Sequence, residues 1–214
     1  MTLAIQIILV LAAVFFLILV GWRISARRAS LPCPSWLAWL VELENPFAKN
    51  YNASSIVEHL DLKPGMRVLD AGCGPGRVAI PLAKAVGPTG EVVAIDLQPQ
   101  MLRRAMDKAE ASGLTNINFL ELPIGAGKLG EAQYDRVLLV TVLGEIPDRR
   151  SALQEIYRAL KPGGLLSITE IMFDPHYQSR HAVLRLAGPM GFHQKALFGN
   201  RFAFTLHLGK PNTY

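Results

Sequence analysis

The sequence predicts an α/β chain, with a doubly wound, mostly parallel sheet of seven strands preceded by a single transmembrane helix. Three observations predict it. From Ala53 onward, short apolar runs alternate with helix-period segments of about 10–15 residues, which is the pattern of βαβ units. The first of those runs ends in an acid and passes straight into a glycine-rich turn, as at the carboxyl edge of an open parallel sheet. Residues 3–22, LAIQIILVLAAVFFLILVGW, carry no charge at all.

A helix over 3–22 is about 30 Å long at ~1.5 Å per residue, enough for a hydrocarbon core. It is apolar on every face and so lacks the polar stripe of a surface helix. MTLAIQ brings no basic region before it and RISARRAS follows it, so the run reads as an anchor and not as a cleaved signal peptide. Arg23, Arg27 and Arg28 follow the run and no Lys or Arg precedes it, which places the rest of the chain in the cytoplasm behind a single pass. The same arginines supply much of the net charge of +5. The basicity therefore fits anionic headgroups better than nucleic acid. Cys33 and Cys73 are the only cysteines, which excludes a disulfide framework and a zinc cluster and leaves two free thiols in a reducing compartment.

The anchor and its basic flank take residues 1–29. Over 30–52, Pro32 and Pro34 break the first helix, and Trp36 and Trp39 share one face of a short helix, as interfacial aromatics do or as packing against the following domain would also require. The domain proper is 53–214. Its expected elements are a helix at 53–60, a strand at 67–70, a helix at 76–86, a strand at 91–96 after the turn GPTG, a helix at 99–112 and a strand at 118–121. After a glycine-rich loop come a strand at 134–140, a helix at 149–160, the turn KPGG, a strand at 165–171, a mixed segment at 177–190, and two short strands near 196–198 and 201–208. The run VLLVTVL suits a central strand covered on both faces.

In Asp70-Ala-Gly72-Cys73-Gly74-Pro-Gly76 a strand ends, the chain turns and a helix begins, and glycine there lets a ligand approach the backbone. A dinucleotide fingerprint would be G-x-G-x-x-G, whereas here the third glycine comes one residue early and Arg77 stands in its place. Asp70 would repel a pyrophosphate but attracts a ligand that carries an ammonium and a sulfonium. Asp96 ends the next strand about 20 residues on, where an acid accepts from both hydroxyls of a ribose.

These residues resemble the class I S-adenosylmethionine-dependent methyltransferases, in particular the branch of the ubiquinone and menaquinone methyltransferases, with their Rossmann-like fold. VLDAGCGPGRVAIPLA is similar to the first motif of that family, VVAIDLQPQML to its acidic second, YDRVLLVTVLGEIPD to its fourth-strand segment and ALKPGGLLSITE to the turn and fifth strand. The resemblance implies S-adenosyl-L-methionine as cofactor, with Asp70, Gly72, Cys73, Gly74 and Gly76 along its methionine and ribose part. It implies Asp96 on the ribose, Leu97 against adenine, and Thr141, Val142 and Leu143 beneath the methyl group. The family's acid after the third strand is missing here. Leu122-Pro123-Ile124 stands in its place, and Glu121, the nearest acid, has the wrong strand phase.

Glu145 and His176 are the candidate general bases, with Tyr51 and Tyr177 behind them; capping, packing or solvated-loop roles stay open for each. The anchor favours a small apolar or lipid-associated acceptor, with no nucleic acid and no metal. A membrane-tethered cofactor-binding or assembly protein without transferase activity is the competing expectation.

Overall fold

The structure, a computed structural model, describes residues 3–29 and 51–212. Helix α1 covers Leu3–Ala29, and α2 covers Ala53–His59. Then follow β1 (Arg67–Ala71), α3 (Ala79–Val86), β2 (Glu91–Asp96), α4 (Pro99–Ala111), β3 (Ile117–Glu121), β4 (Tyr134–Val140), α5 (Arg149–Ala159), β5 (Leu160–Ile171), α6 (Arg180–Ala187), β6 (His193–Gly199) and β7 (Ala203–Gly209). The seven strands make one sheet in the order β3-β2-β1-β4-β5-β7-β6. Strands β1 to β5 run parallel, and β7 is antiparallel to both β5 and β6. The expected seven-stranded, mostly parallel fold is the fold observed.

Alternation along the strands divides the core in two. Leu69, Val137, Leu139 and Ile168 pack with Leu153, Ile156 and Val183 of α5 and α6, while Val68, Val92 and Leu138 pack with Ile56, Leu82 and Val86 of α2 and α3. Both faces of β1 and β4 are therefore buried, which is why those strands read as continuous apolar runs.

Three boundaries differ from expectation. Helix α3 starts at Ala79 and not at 76, because Gly74 (φ +53°) and Gly76 (φ +81°) hold left-handed conformations that no right-handed helix includes. KPGG is not a free turn: β5 begins at Leu160, opposite Tyr134, and carries a bulge there. Gly163 (φ +74°) is held by the tail, since its N–H donates to the Pro211 carbonyl at 3.4 Å and the Lys210 N–H donates to the Gly164 carbonyl at 2.9 Å. The mixed segment contains α6, whose N-terminus is capped by the Ser179 hydroxyl accepting from the Ala182 N–H.

Helix α1 covers the whole of the expected span, and its described side chains are exposed. Among the described residues no helix is long and apolar enough to cross a membrane, and the expected transmembrane helix is corrected to that extent. Cys33, Trp36 and Trp39, with the rest of 30–50, lie outside the described residues, as do the side chains of Trp22, Arg23, Arg27 and Arg28.

Candidate functional site

The carboxyl ends of β1, β2 and β4 meet along one edge of the sheet, and the loops that leave them interlock. The Gly72 and Cys73 N–H groups both donate to the Ile95 carbonyl, at 2.8 and 2.9 Å, so the glycine turn is laid across the tip of β2. Gly72 (φ +82°) also packs against Val142, and a Cβ there would come within 2.8 Å of a Val142 methyl. Gly76 is closed off in the same way by Ala105 of α4. Gly74 differs, for nothing lies within 4 Å of where its Cβ would stand. The middle glycine thus faces free space while its neighbours are held by packing.

Both acids flank that space. Asp96 accepts from the Gly74 N–H at 2.9 Å through one oxygen and from the Gln98 N–H at 2.9 Å through the other, so it fixes the turn and keeps lone pairs free for a ligand. Burial raises its pKa, and these backbone donors work against the rise. Asp70 is 2% exposed, and its Oδ2 is buried with no hydrogen-bond partner. Burial pushes its carboxyl up to about 7, against the pull of the Arg77 guanidinium and with help from the Asp96 charge. An unsatisfied carboxylate oxygen in a dry site stabilises a cation brought to it and is costly otherwise.

The other expected residues fall as follows. Leu97 is 56% exposed beside Asp96, an apolar surface open to a flat ring. The Cys73 thiol is buried, and burial together with Asp70 and Asp96 drives its pKa well upward, so it is no nucleophile. Thr141 holds φ +58°, strained for a β-branched residue; its N–H donates to the Thr169 carbonyl at 2.8 Å and its hydroxyl to the Val140 carbonyl at 2.7 Å. Strain of that kind at the tip of β4 sets the direction in which Val142 and Leu143 leave the sheet. Glu121 is exposed, and beyond it the Leu122 N–H donates to the Asp96 carbonyl at 3.3 Å.

The structure brings the loop that carries Glu145 against the loop that carries His176. Gly144 packs on the main chain of His176 so closely that a Cβ would collide with the His176 carbonyl, and Arg149 holds the turn by donating to the Leu143 and Gly144 carbonyls at 3.1 and 2.7 Å. His176 is 4% exposed, which removes the solvated-loop reading of it. Tyr177 spends its hydroxyl on the Arg201 carbonyl at 2.8 Å, and the Tyr51 ring lies under the Arg77 guanidinium at 4.3 Å.

Three residues of the site were not expected. Arg77 donates to the Tyr51 carbonyl at 2.8 Å and so joins the segment before α2 to the glycine turn. Glu155, 2% exposed, accepts from Gly125 and Leu129 and folds the loop after β3. Glu170, 1% exposed at the end of β5, accepts from the Gln178 N–H at 3.0 Å, and its other oxygen has no partner. Burial pushes its carboxyl up to about 8; the Gln178 N–H and Arg149 oppose the rise, and Asp174 and Glu145 add to it. Only an acid closing an apolar strand in SITEI hinted at it.

Comparison with known proteins agrees with this geometry. The model of the methyltransferase domain family matches residues 62–195. The chain is 33% identical over 160 residues, 73% of its length, to a 37.1 kDa protein of transposon Tn4556 from Streptomyces fradiae, and covers 44% of that relative. It is 35% identical over 115 residues, 51% of its length, to the demethylmenaquinone methyltransferase of Geobacillus kaustophilus, and covers 47% of it. The chain thus spans a little under half the length of each of these curated relatives. In fold it is similar to a SAM-dependent methyltransferase from Aquifex aeolicus, with a TM-score of 0.74 at 22% identity over 83% of this chain and 99% of that one.

The orphaned Asp70 oxygen, the open face of Gly74 and the spare lone pairs of Asp96 fit a cationic, ribose-bearing ligand and do not fit a pyrophosphate. The chain therefore belongs to the methyltransferase domain family, and the residues of its site fit S-adenosylmethionine.

Proposed function

We propose that the chain transfers a methyl group to a small, lipid-like acceptor at the inner face of a membrane. The observation that carries the transfer is the pair Asp70 and Asp96 about the open glycine turn. When bound, the cofactor supplies an electrophilic methyl on a positively charged sulfur. Asp70 would take the ammonium, Asp96 the ribose hydroxyls and Leu97 one face of adenine, with the Leu122 region standing in for the missing acid. Thr141 to Leu143 would then set where the acceptor can come to rest. Glu145, His176 or solvent would take the proton that the acceptor gives up on methylation. Alignment of this kind supplies roughly 7–11 kcal/mol of a barrier, so positioning matters more here than any covalent residue.

The lipid-like acceptor is supported by the likeness to demethylmenaquinone methyltransferase and by the apolar sequence of α1. We read α1 as the segment that holds the chain at the membrane, with Arg23, Arg27 and Arg28 beside anionic headgroups and the domain of 53–214 on the cytoplasmic side. The decisive assay incubates the full chain with methyl-labelled cofactor and a membrane lipid extract for one turnover. Label is expected in the quinone-like lipid fraction; cofactor that binds and stays methylated would sink transfer and favour a tethered binding protein. Removal of residues 1–29 is expected to abolish labelling of intact membranes and to spare labelling of detergent-dispersed acceptor, and equal loss of both would sink the anchor.

Asp70 adds a pH dependence. Its carboxyl is half protonated near pH 7 in the free protein, and a cation requires it ionised. Cofactor binding at pH 6 is therefore expected to release close to one proton, and at pH 8.5 almost none. Below about pH 7 the affinity falls up to about tenfold per unit. Titration calorimetry in two buffers of different ionisation enthalpy reads the proton directly, and the Asp70→Asn chain should show none.

A further inference from the structure

Outside α1, the exposed aromatic side chains among the described residues are two, Phe173 at 79% and Phe202 at 44%. They belong to different connections but one place. Phe173 follows the end of β5, Phe202 precedes the start of β7, and Ile171 pairs with Ala203 where those strands meet. The Met172 N–H donates to the Phe202 carbonyl at 2.7 Å, and the Tyr177 hydroxyl donates to the Arg201 carbonyl at 2.8 Å. Asn200 caps the hairpin by accepting from the Phe202 and Ala203 N–H groups at 2.8 and 3.3 Å. Two ordered loops thus hold two large apolar rings in water, at the same edge of the sheet that carries the glycine turn and Thr141.

The charge beside them is positive. The Arg201 guanidinium lies over the Phe202 ring at 4.8 Å. The acid next to Phe173 is turned inward, Asp174 accepting from the His176 N–H at 2.7 Å. Aromatic rings flanked by a cation suit the headgroup layer of an anionic bilayer, where the rings leave water and the guanidinium keeps its counterion. The chain carries +5 overall.

We propose that Phe173, Arg201 and Phe202 form a contact for an anionic lipid surface, which sets the acceptor-receiving edge of the sheet against the membrane. It rests on the reading of the acceptor as lipid-dissolved: an edge pressed to the bilayer receives such a molecule without its crossing water. It does not require α1 to span.

The test places a photoreactive benzoyl-phenylalanine at 173 or at 202 of the full chain, with position 106 on α4 as an exposed control (Met106 is 51% exposed). Vesicles of phosphatidylcholine, with and without phosphatidylglycerol, are illuminated after flotation. Positions 173 and 202 are expected to give lipid adducts at least tenfold above those at 106. Anionic lipid should raise them about fivefold, the effect of one basic residue near such a surface, and Arg201→Gln should remove that rise. A chain that floats yet gives no more adduct at 173 and 202 than at 106 overturns the contact and leaves the anchor standing. Adducts to a second copy of the chain overturn it in favour of a dimer face. Adducts at 173 and 202 without labelling of quinone-like lipid in the turnover assay keep the contact and sink the acceptor.

Discussion

Replacing Asp96 by alanine is expected to lower the affinity for S-adenosylmethionine by about 10²–10⁴. A hydrogen bond to a charged acceptor contributes about 1.5–3 kcal/mol, and both ribose hydroxyls would be left without one. Two such bonds give the quoted range at ~1.4 kcal/mol per tenfold. The same oxygens hold the Gly74 and Gln98 N–H groups in the free protein, so the chain should also lose stability. The Asp96→Asn chain keeps one of the two oxygens and should recover part of the affinity. Calorimetry on the folded variants measures the loss, and an affinity within about threefold of the parent would show that Asp96 serves the turn alone.

The parts of the site legible in the sequence are those carried by neighbours in the chain. Asp70, the three glycines and Asp96 each stand at a strand end, and strand ends are marked by apolar runs that stop. What escaped reading depends on partners far apart. Arg77 meets Tyr51 from 26 residues away, and Glu155 folds a loop 26 to 30 residues before it. The close packing of Gly144 on His176 joins loops from two strands, and nothing in GEIPD announces it. KPGG misled for the same reason: Lys-Pro-Gly-Gly has turn chemistry, yet Lys210 and Pro211, almost 50 residues on, hold it as a bulge in β5. The start of α3 was misplaced because a helix pattern shows the period of the side chains, while the left-handed φ of Gly76 decides where that period can begin.

Thr141 shows where such non-local terms act on function. Its left-handed backbone costs about 1–3 kcal/mol and persists because the Thr169 carbonyl holds its N–H. The resulting turn carries Val142 onto Gly72, so strain at β4 closes the pocket wall that the glycine turn leaves bare.

Replacing Glu170 by glutamine is expected to stabilise the fold at alkaline pH and to leave it nearly unchanged in mild acid. The folded chain keeps the Glu170 proton up to about 8, whereas an unfolded chain gives it up near 4.5. Between those values the folded state binds the extra proton, so the contribution of this group is full below about 4.5 and is lost as pH rises through 8. Above that, the native fold contains an ionised carboxylate that is 1% exposed and faces the charges of Asp174 and Glu145. Glutamine carries no charge at any pH. Its oxygen can accept from the Gln178 N–H, and its amide nitrogen stands where the protonated acid would place its O–H. Denaturant unfolding of the two chains should therefore agree at pH 5 and differ at pH 9 by roughly 2–4 kcal/mol, the variant being the more stable. Asp70 has the same sign with a pKa of about 7, so both chains should still lose stability between about pH 4 and 7, the parent more steeply and on to about pH 8. A difference of the same size at both ends of the range would mean that packing, and not the proton, separates the two side chains.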